Sequence, residues 1–111
     1  MTTKRSFTKL ALPLKLEQYV VEVLLRDLVG HDHSPAAFLV YFSLYALTYA
    51  AGRRSVRVSL KQVAERTGLS KSAVQAALRI LLRRQLIRTQ HATRTAVPEY
   101  FVQRPWARQR T

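Results

Sequence analysis

The sequence predicts a mainly α fold carrying one small β-hairpin, and three observations carry that prediction. Residues 35–51 hold no formally charged side chain and are apolar on every side of a helix. Residues 59–84 contain two short amphipathic patterns, each led by a serine, with a glycine between them. Residues 86–102 read as two β-prone runs around a polar turn. A chain of 111 residues is enough for one modest core. The expected organisation is therefore a basic, flexible N-terminal arm over residues 1–15, a single domain over 16–102, and a basic C-terminal tail over 103–111.

Charge separates the two halves of the chain. The whole carries +13, yet residues 1–52 hold five basic and four acidic groups, while residues 53–111 hold fourteen basic groups against only Glu65 and Glu99. So much self-repulsion in half a small domain is relieved when a polyanion neutralises it, and nucleic acid is the commonest such partner. There are no cysteines, which excludes disulfides, thiolate metal sites and cysteine nucleophiles. The first residues have no continuous apolar segment of signal-peptide length, so a cytoplasmic, nucleoid-associated protein is expected.

In the uncharged segment, Ser34 reads as an N-cap, Pro35 as the first helical residue and Gly52 as the stop. The seventeen residues between them would span roughly 25 Å, short of the ~30 Å hydrocarbon core of a bilayer. Tyr41, Tyr45 and Tyr49 are scattered through it, not gathered in belts. A buried helix of a soluble domain is expected, not a membrane span. Its partner is residues 16–29, where Leu16, Val20, Val23, Leu24 and Leu28 recur at helical spacing and Gly30 offers an end. His31, Asp32 and His33 in the joining turn fall short of a closed metal set, so a solvated polar turn and no metal or other cofactor are expected.

Residues 55–58 alternate like a short edge strand. Ser59 and Gln62 form a capping box that starts a helix at Leu60, which runs to about Thr67 with Val63 and Ala64 inward. Gly68 supplies the left-handed turn, Leu69 is a buried plug, and Ser70 caps a second helix over residues 71–84. On that second helix Val74, Ala77, Leu78 and Leu81 line one side. Ser72, Gln75, Ala76, Arg79 and Arg83 fall on the other.

The stretch "LKQVAERTGLSKSAVQAALR" resembles the helix-turn-helix of bacterial DNA-binding proteins, with Ala64 at the close approach of the helices and Gly68 in the turn. The preceding strand and the run "LIRTQ", "HATRT", "AVPEYFV" make the resemblance one to winged helix-turn-helix domains: MarR-like and GntR-like regulators, and phage or plasmid replication proteins. It covers roughly residues 34–102. It implies sequence-specific binding of double-stranded DNA, most naturally by a transcriptional regulator. A plasmid or phage replication or partition factor, and a winged protein-interaction module, stand as alternatives.

By that resemblance the second helix enters the major groove. The glutamine at 75 can pair with adenine and the arginines at 79 and 83 with guanine, with the Ser72 hydroxyl on the same base-reading face, while Ser70 and Lys71 sit at the helix start, where free amides suit a phosphate. His91, Thr93, Arg94 and Thr95 lie at the wing tip, with Arg94 the candidate for a minor groove. Arg88 at the wing base and Arg53 and Arg54 after the apolar helix are candidate phosphate contacts. Trp106 is expected to pack against the domain. Apolar surface in residues 16–51 exceeds what one small core hides, which points to a homodimer. No carboxylate pair, nucleophile–base arrangement or phosphate loop supports an enzyme.

Overall fold

In the computed structural model, residue 10 and residues 12–108 are described. Most of the expected N-terminal arm and the last three residues lie outside them. The described chain is five helices and a three-stranded antiparallel sheet: α1 (residues 18–31), α2 (Pro35–Leu47), β1 (Val56–Arg57), α3 (Leu60–Thr67), α4 (Lys71–Arg83), β2 (Ile87–Gln90), β3 (Glu99–Val102) and α5 (Pro105–Arg108). The strands lie in the order β1-β3-β2, which puts β1 at an edge, as its sequence predicts. This is the mainly α, winged helix-turn-helix architecture expected.

Helix α2 is the hub. Ser34 Oγ accepts from the Ala37 amide at 3.1 Å and Pro35 follows, so the start is as read from the sequence. Val40, Tyr41 and Leu44 are fully buried, and α1, α3, α4 and β3 pack around the helix. Its end comes earlier than expected. Thr48 Oγ1 donates to the Leu44 carbonyl at 2.8 Å, the backbone there leaves helical geometry, and a 3₁₀ turn, Tyr49–Ala51, intervenes before Gly52 closes it at φ +73°. A β-branched residue that bonds back one turn weakens the ladder at that point. Among the described residues no helix is long and apolar enough to cross a membrane.

Helix α1 contains two π turns, Val20–Leu24 and Asp27–His31, closed by bonds such as the Asp32 amide to the Asp27 carbonyl at 2.9 Å. An α turn falls slightly short of four residues and a π turn exceeds it, so mixing them keeps residues four apart in one straight row. Val20, Leu24 and Leu28 form that row and are buried; Leu16 and Val23, also expected inward, are half-buried. Gly30 does not end the helix, which continues through His31.

The turn after α1 is not the merely solvated loop expected. Asp32 receives two bonds from Arg84 Nη1, at 2.9 and 2.7 Å, and Asp27 lies 3.8 Å from the same guanidinium. His31 Nδ1 stands 2.9 Å from Asp32 Oδ1. These partners hold the Asp32 carboxyl below its ordinary range, the His31 bond first and then the nearby Arg84 charge, against the opposing effect of burial. Among the described residues no group of three or more His, Asp or Glu side chains gathers as a metal site would require.

The packed part continues beyond residue 102. Tyr41 donates its hydroxyl to the Gln103 carbonyl at 2.9 Å, Arg104 Nε bonds Glu17 Oε1 at 2.9 Å, and Trp106 stacks on Tyr19 with ring centroids 4.4 Å apart. So residues 103–107, expected in the tail, are part of the domain surface, with Trp106 packed as predicted. Burial raises the Tyr41 hydroxyl well above the ordinary tyrosine range and raises that of Tyr45 as well, which keeps both as neutral hydrogen-bond donors.

A group whose pKa is depressed by folding stabilises the fold above its unfolded pKa, ~3.9 for Asp, and that contribution fades as pH falls through the folded value. Replacing Asp32 by Asn should therefore cost about 1–2 kcal/mol near pH 7. The gap to the parent chain should close below about pH 4 in denaturant titrations run across pH.

Candidate nucleic-acid interface

Two caps and one glycine set the angle between α3 and α4. Ser59 Oγ accepts from the Gln62 amide at 3.1 Å, and Gln62 Oε1 accepts from the Ser59 amide at 2.8 Å, so the capping box is complete. Gly68 sits at φ +79° and sends its amide to the Ala64 carbonyl at 2.9 Å. Thr67, which carried no signal in the sequence, stitches the same turn: its Oγ1 donates to the Val63 carbonyl at 2.8 Å and accepts from the Leu69 amide at 3.3 Å. Leu69 is half-buried, less enclosed than the plug expected. Ser70 then caps α4 by accepting from the Ala73 amide at 3.1 Å.

Helix α4 separates its faces as its sequence spacing requires. Val74, Ala77, Leu78 and Leu81 are buried, whereas Lys71, Ser72, Gln75, Ala76, Arg79 and Arg83 are exposed. Among the described residues, Lys71, Arg79 and Arg83 form no ion pair. The exposed row thus offers an amide, hydroxyls and uncompensated cations on a rigid support, a donor set suited to base edges and phosphates. At the N-terminus Ser70 satisfies the Ala73 amide, which leaves the first amides of the helix outward beside Lys71, where the helix dipole is positive.

The far end of α4 is held in two ways. The Gln85 amide reaches the Leu82 carbonyl at 3.0 Å and the Leu86 amide the Leu81 carbonyl at 2.9 Å, the paired bonds of a Schellman stop. The left-handed residue is Gln85, at φ +60°, where glycine is the usual occupant. Just before it, Arg84 makes the clamp to Asp32 and Asp27 described above, with its positive charge at the negative end of the dipole.

The wing is β2 and β3 paired from Ile87↔Val102 to Gln90↔Glu99, with residues 91–98 forming the loop. His91, Thr93, Arg94 and Thr95 are exposed in it, and in place of a glycine turn the Ala96 amide bonds the Thr93 carbonyl at 3.3 Å. Where β3 leaves the loop, Glu99 bonds Ser55 and pairs with Arg57 at 3.5 Å, tying the wing to the edge strand. Arg53, Arg54 and Arg88 stand elsewhere. They line one hollow with Tyr49, Phe101 and Arg104, and no residue of α3 or α4 contributes to it. Arg104, Arg84 and Gln85 were not singled out from sequence; only a basic residue near a helix end hinted at Arg84.

The fold and this face define a winged helix-turn-helix, a DNA-binding domain of the type that transcription regulators carry. Residues 50–91 match the model of the IclR helix-turn-helix domain. The match runs from the end of the 3₁₀ turn through α3, α4 and β2, and it falls on a different family from the MarR-like and GntR-like groups that the sequence suggested. No curated protein and no solved structure matches the chain.

Gln85 holds a conformation that costs a residue with a Cβ on the order of 1 kcal/mol. Replacing it by Gly should raise stability by up to about 0.5 kcal/mol, read as a slightly higher thermal midpoint, once the greater freedom of glycine in the unfolded chain is counted.

Proposed function

We propose that the protein is a sequence-specific double-stranded DNA binder that regulates transcription by occupying its site, with α4 in the major groove. The observation that supports this reading best is the row Ser72, Gln75, Arg79 and Arg83, exposed along one side of a helix whose other side is buried. Ser72, Gln75 and Arg79 are assigned to base edges, Arg83 to a base or the backbone, and Ser70 and Lys71 to a phosphate at the helix start. In the wing, Arg94 is assigned to the minor groove, with His91, Thr93 and Thr95 beside it on the backbone.

A homodimer belongs to this proposal. Val21 and Leu25 lie one turn apart on α1 and are 45% and 38% exposed, and Leu39 on α2 is 42% exposed. Apolar surface of this kind is covered when two copies meet, and a two-fold pair would present two α4 helices to a roughly palindromic site. Sedimentation should give twice the chain mass at micromolar concentration, and Val21→Glu with Leu25→Glu should give the monomer. A replication or partition factor would use the same face, and selection of bound duplexes from a random pool, mapped back to the genome, separates that role from a regulator's. A protein-interaction module would show no duplex preference at all.

Two kinds of variant test the assignment by titration of labelled duplexes. Gln75→Ala or Arg79→Ala should each cost about 1–3 kcal/mol on the selected site and relax preference at one base position. Lys71→Ala or Arg94→Ala should weaken all duplexes alike and flatten the dependence of log affinity on log salt by about one unit. An Arg79→Ala chain that binds its selected site unchanged would overturn the assignment of α4.

A further inference from the structure

The hollow at the base of the wing gathers more positive charge than the fold needs. Four arginines, Arg53, Arg54, Arg88 and Arg104, are among the residues that line a hollow of about 350 Å³. Only Arg104 has a carboxylate, Glu17 at 2.9 Å; among the described residues Arg53, Arg54 and Arg88 have none within ion-pair distance. Like charges lining one space repel one another, and among the described residues only the Arg104 charge is offset by an ion pair. Two of the four lie over aromatic rings. Arg88 lies over the Phe101 ring at 4.9 Å and Arg104 over the Tyr49 ring at 4.0 Å. A guanidinium resting over an aromatic ring has less side-chain freedom left to lose on binding an oxyanion.

Place and charge both separate this hollow from the reading face. Arg88 and Phe101 pair directly across β2 and β3, on the sheet face opposite the buried Tyr100 and Val102, and Arg88 lies beyond the last turn of α4. The base-reading positions are on the earlier turns of α4, a helix about 20 Å long. A phosphodiester of the DNA backbone brings one negative charge, whereas a terminal phosphate or a diphosphate brings two or more to a single point, which suits a hollow lined by three arginines without ion pairs beside the paired Arg104. The size lies within the range of small-molecule sites.

We propose that this hollow is a binding site for a small molecule bearing a terminal phosphate or diphosphate, separate from the DNA-reading face of α4. Inorganic pyrophosphate is the probe, titrated calorimetrically into the full chain without DNA. Saturable one-to-one binding is expected, weakened at least tenfold by Arg53→Gln with Arg88→Gln and unchanged by Arg79→Ala. Circular dichroism of each variant confirms that it is folded, and Arg53→Lys with Arg88→Lys, which keeps charge but loses the planar fork, should fall in between. Absence of saturable binding, or equal weakening in the Arg79→Ala chain, overturns the site. So does a loss of duplex affinity in the Arg53→Gln, Arg88→Gln chain as large as that in Arg79→Ala, which would make these arginines contacts to the DNA backbone. Failure of Arg79→Ala to alter duplex binding would sink the reading of α4 and leave the hollow untouched.

Discussion

A helix with no polar side has to be enclosed, and that requirement organises the whole molecule. Helix α2 buries Val40, Tyr41 and Leu44 completely and is covered by α1, α3, α4 and β3. The cover is what a minimal winged unit lacks on one side, which is why α1 is present and why its straight row of Val20, Leu24 and Leu28 matters. The tyrosine hydroxyls carried inward with α2 are satisfied at its margins, Tyr41 by the Gln103 carbonyl and Tyr45 by Glu17. Buried hydroxyls without such partners would each cost a few kcal/mol. Their partners therefore fix where the ends of the domain lie.

The exposed face of α4 inherits its precision from that enclosure. Its apolar stripe locks rotation about the helix axis, and the two ends lock tilt: Ser70 and Gly68 at the start, the Gln85 stop and the Arg84 clamp at the finish. A side chain on a helix held at both ends loses little freedom on binding, which favours affinity and selectivity together. Acidic groups stay off this row. Glu17, Asp27, Asp32 and Glu99 are each engaged with an arginine elsewhere, and α4 itself carries no acidic residue to offset its cations.

What could be read from sequence was what local chemistry decides. The capping box at Ser59, the cap at Ser70, the turn at Gly68 and the two faces of α4 follow from a few adjacent residues, and each forms as read. The assignments of individual side chains to bases rest on the same face logic and await binding data. The misreadings share a different cause: the deciding partner is far away in the chain. Asp32 looked like a solvated turn residue because Arg84 lies 52 positions later. That Arg53 and Arg88 line one hollow was likewise not legible, because they lie 35 positions apart, though their reading as phosphate contacts awaits binding data. Gln85 gave no sign of a helix stop since its conformation is imposed by the clamp and strand on either side of it, against its own preference. Helix α2 was read too long because Thr48 is neutral in pattern and acts only through its bond to Leu44.

The clasp between α5 and the start of α1 bears on how the molecule assembles. Arg104 and Glu17 are 87 positions apart, and Tyr19 and Trp106 just as far, so this seam closes nearly the entire chain into a ring. Closure of so long a loop is entropically costly and gains little until the helices between are in place. The seam is on that ground expected to close late in folding, after the helix-turn-helix has condensed on α2. Since Trp106 is the only tryptophan, its fluorescence follows that last step while backbone ellipticity follows the earlier ones, and a single chain thus carries a separate clock for each.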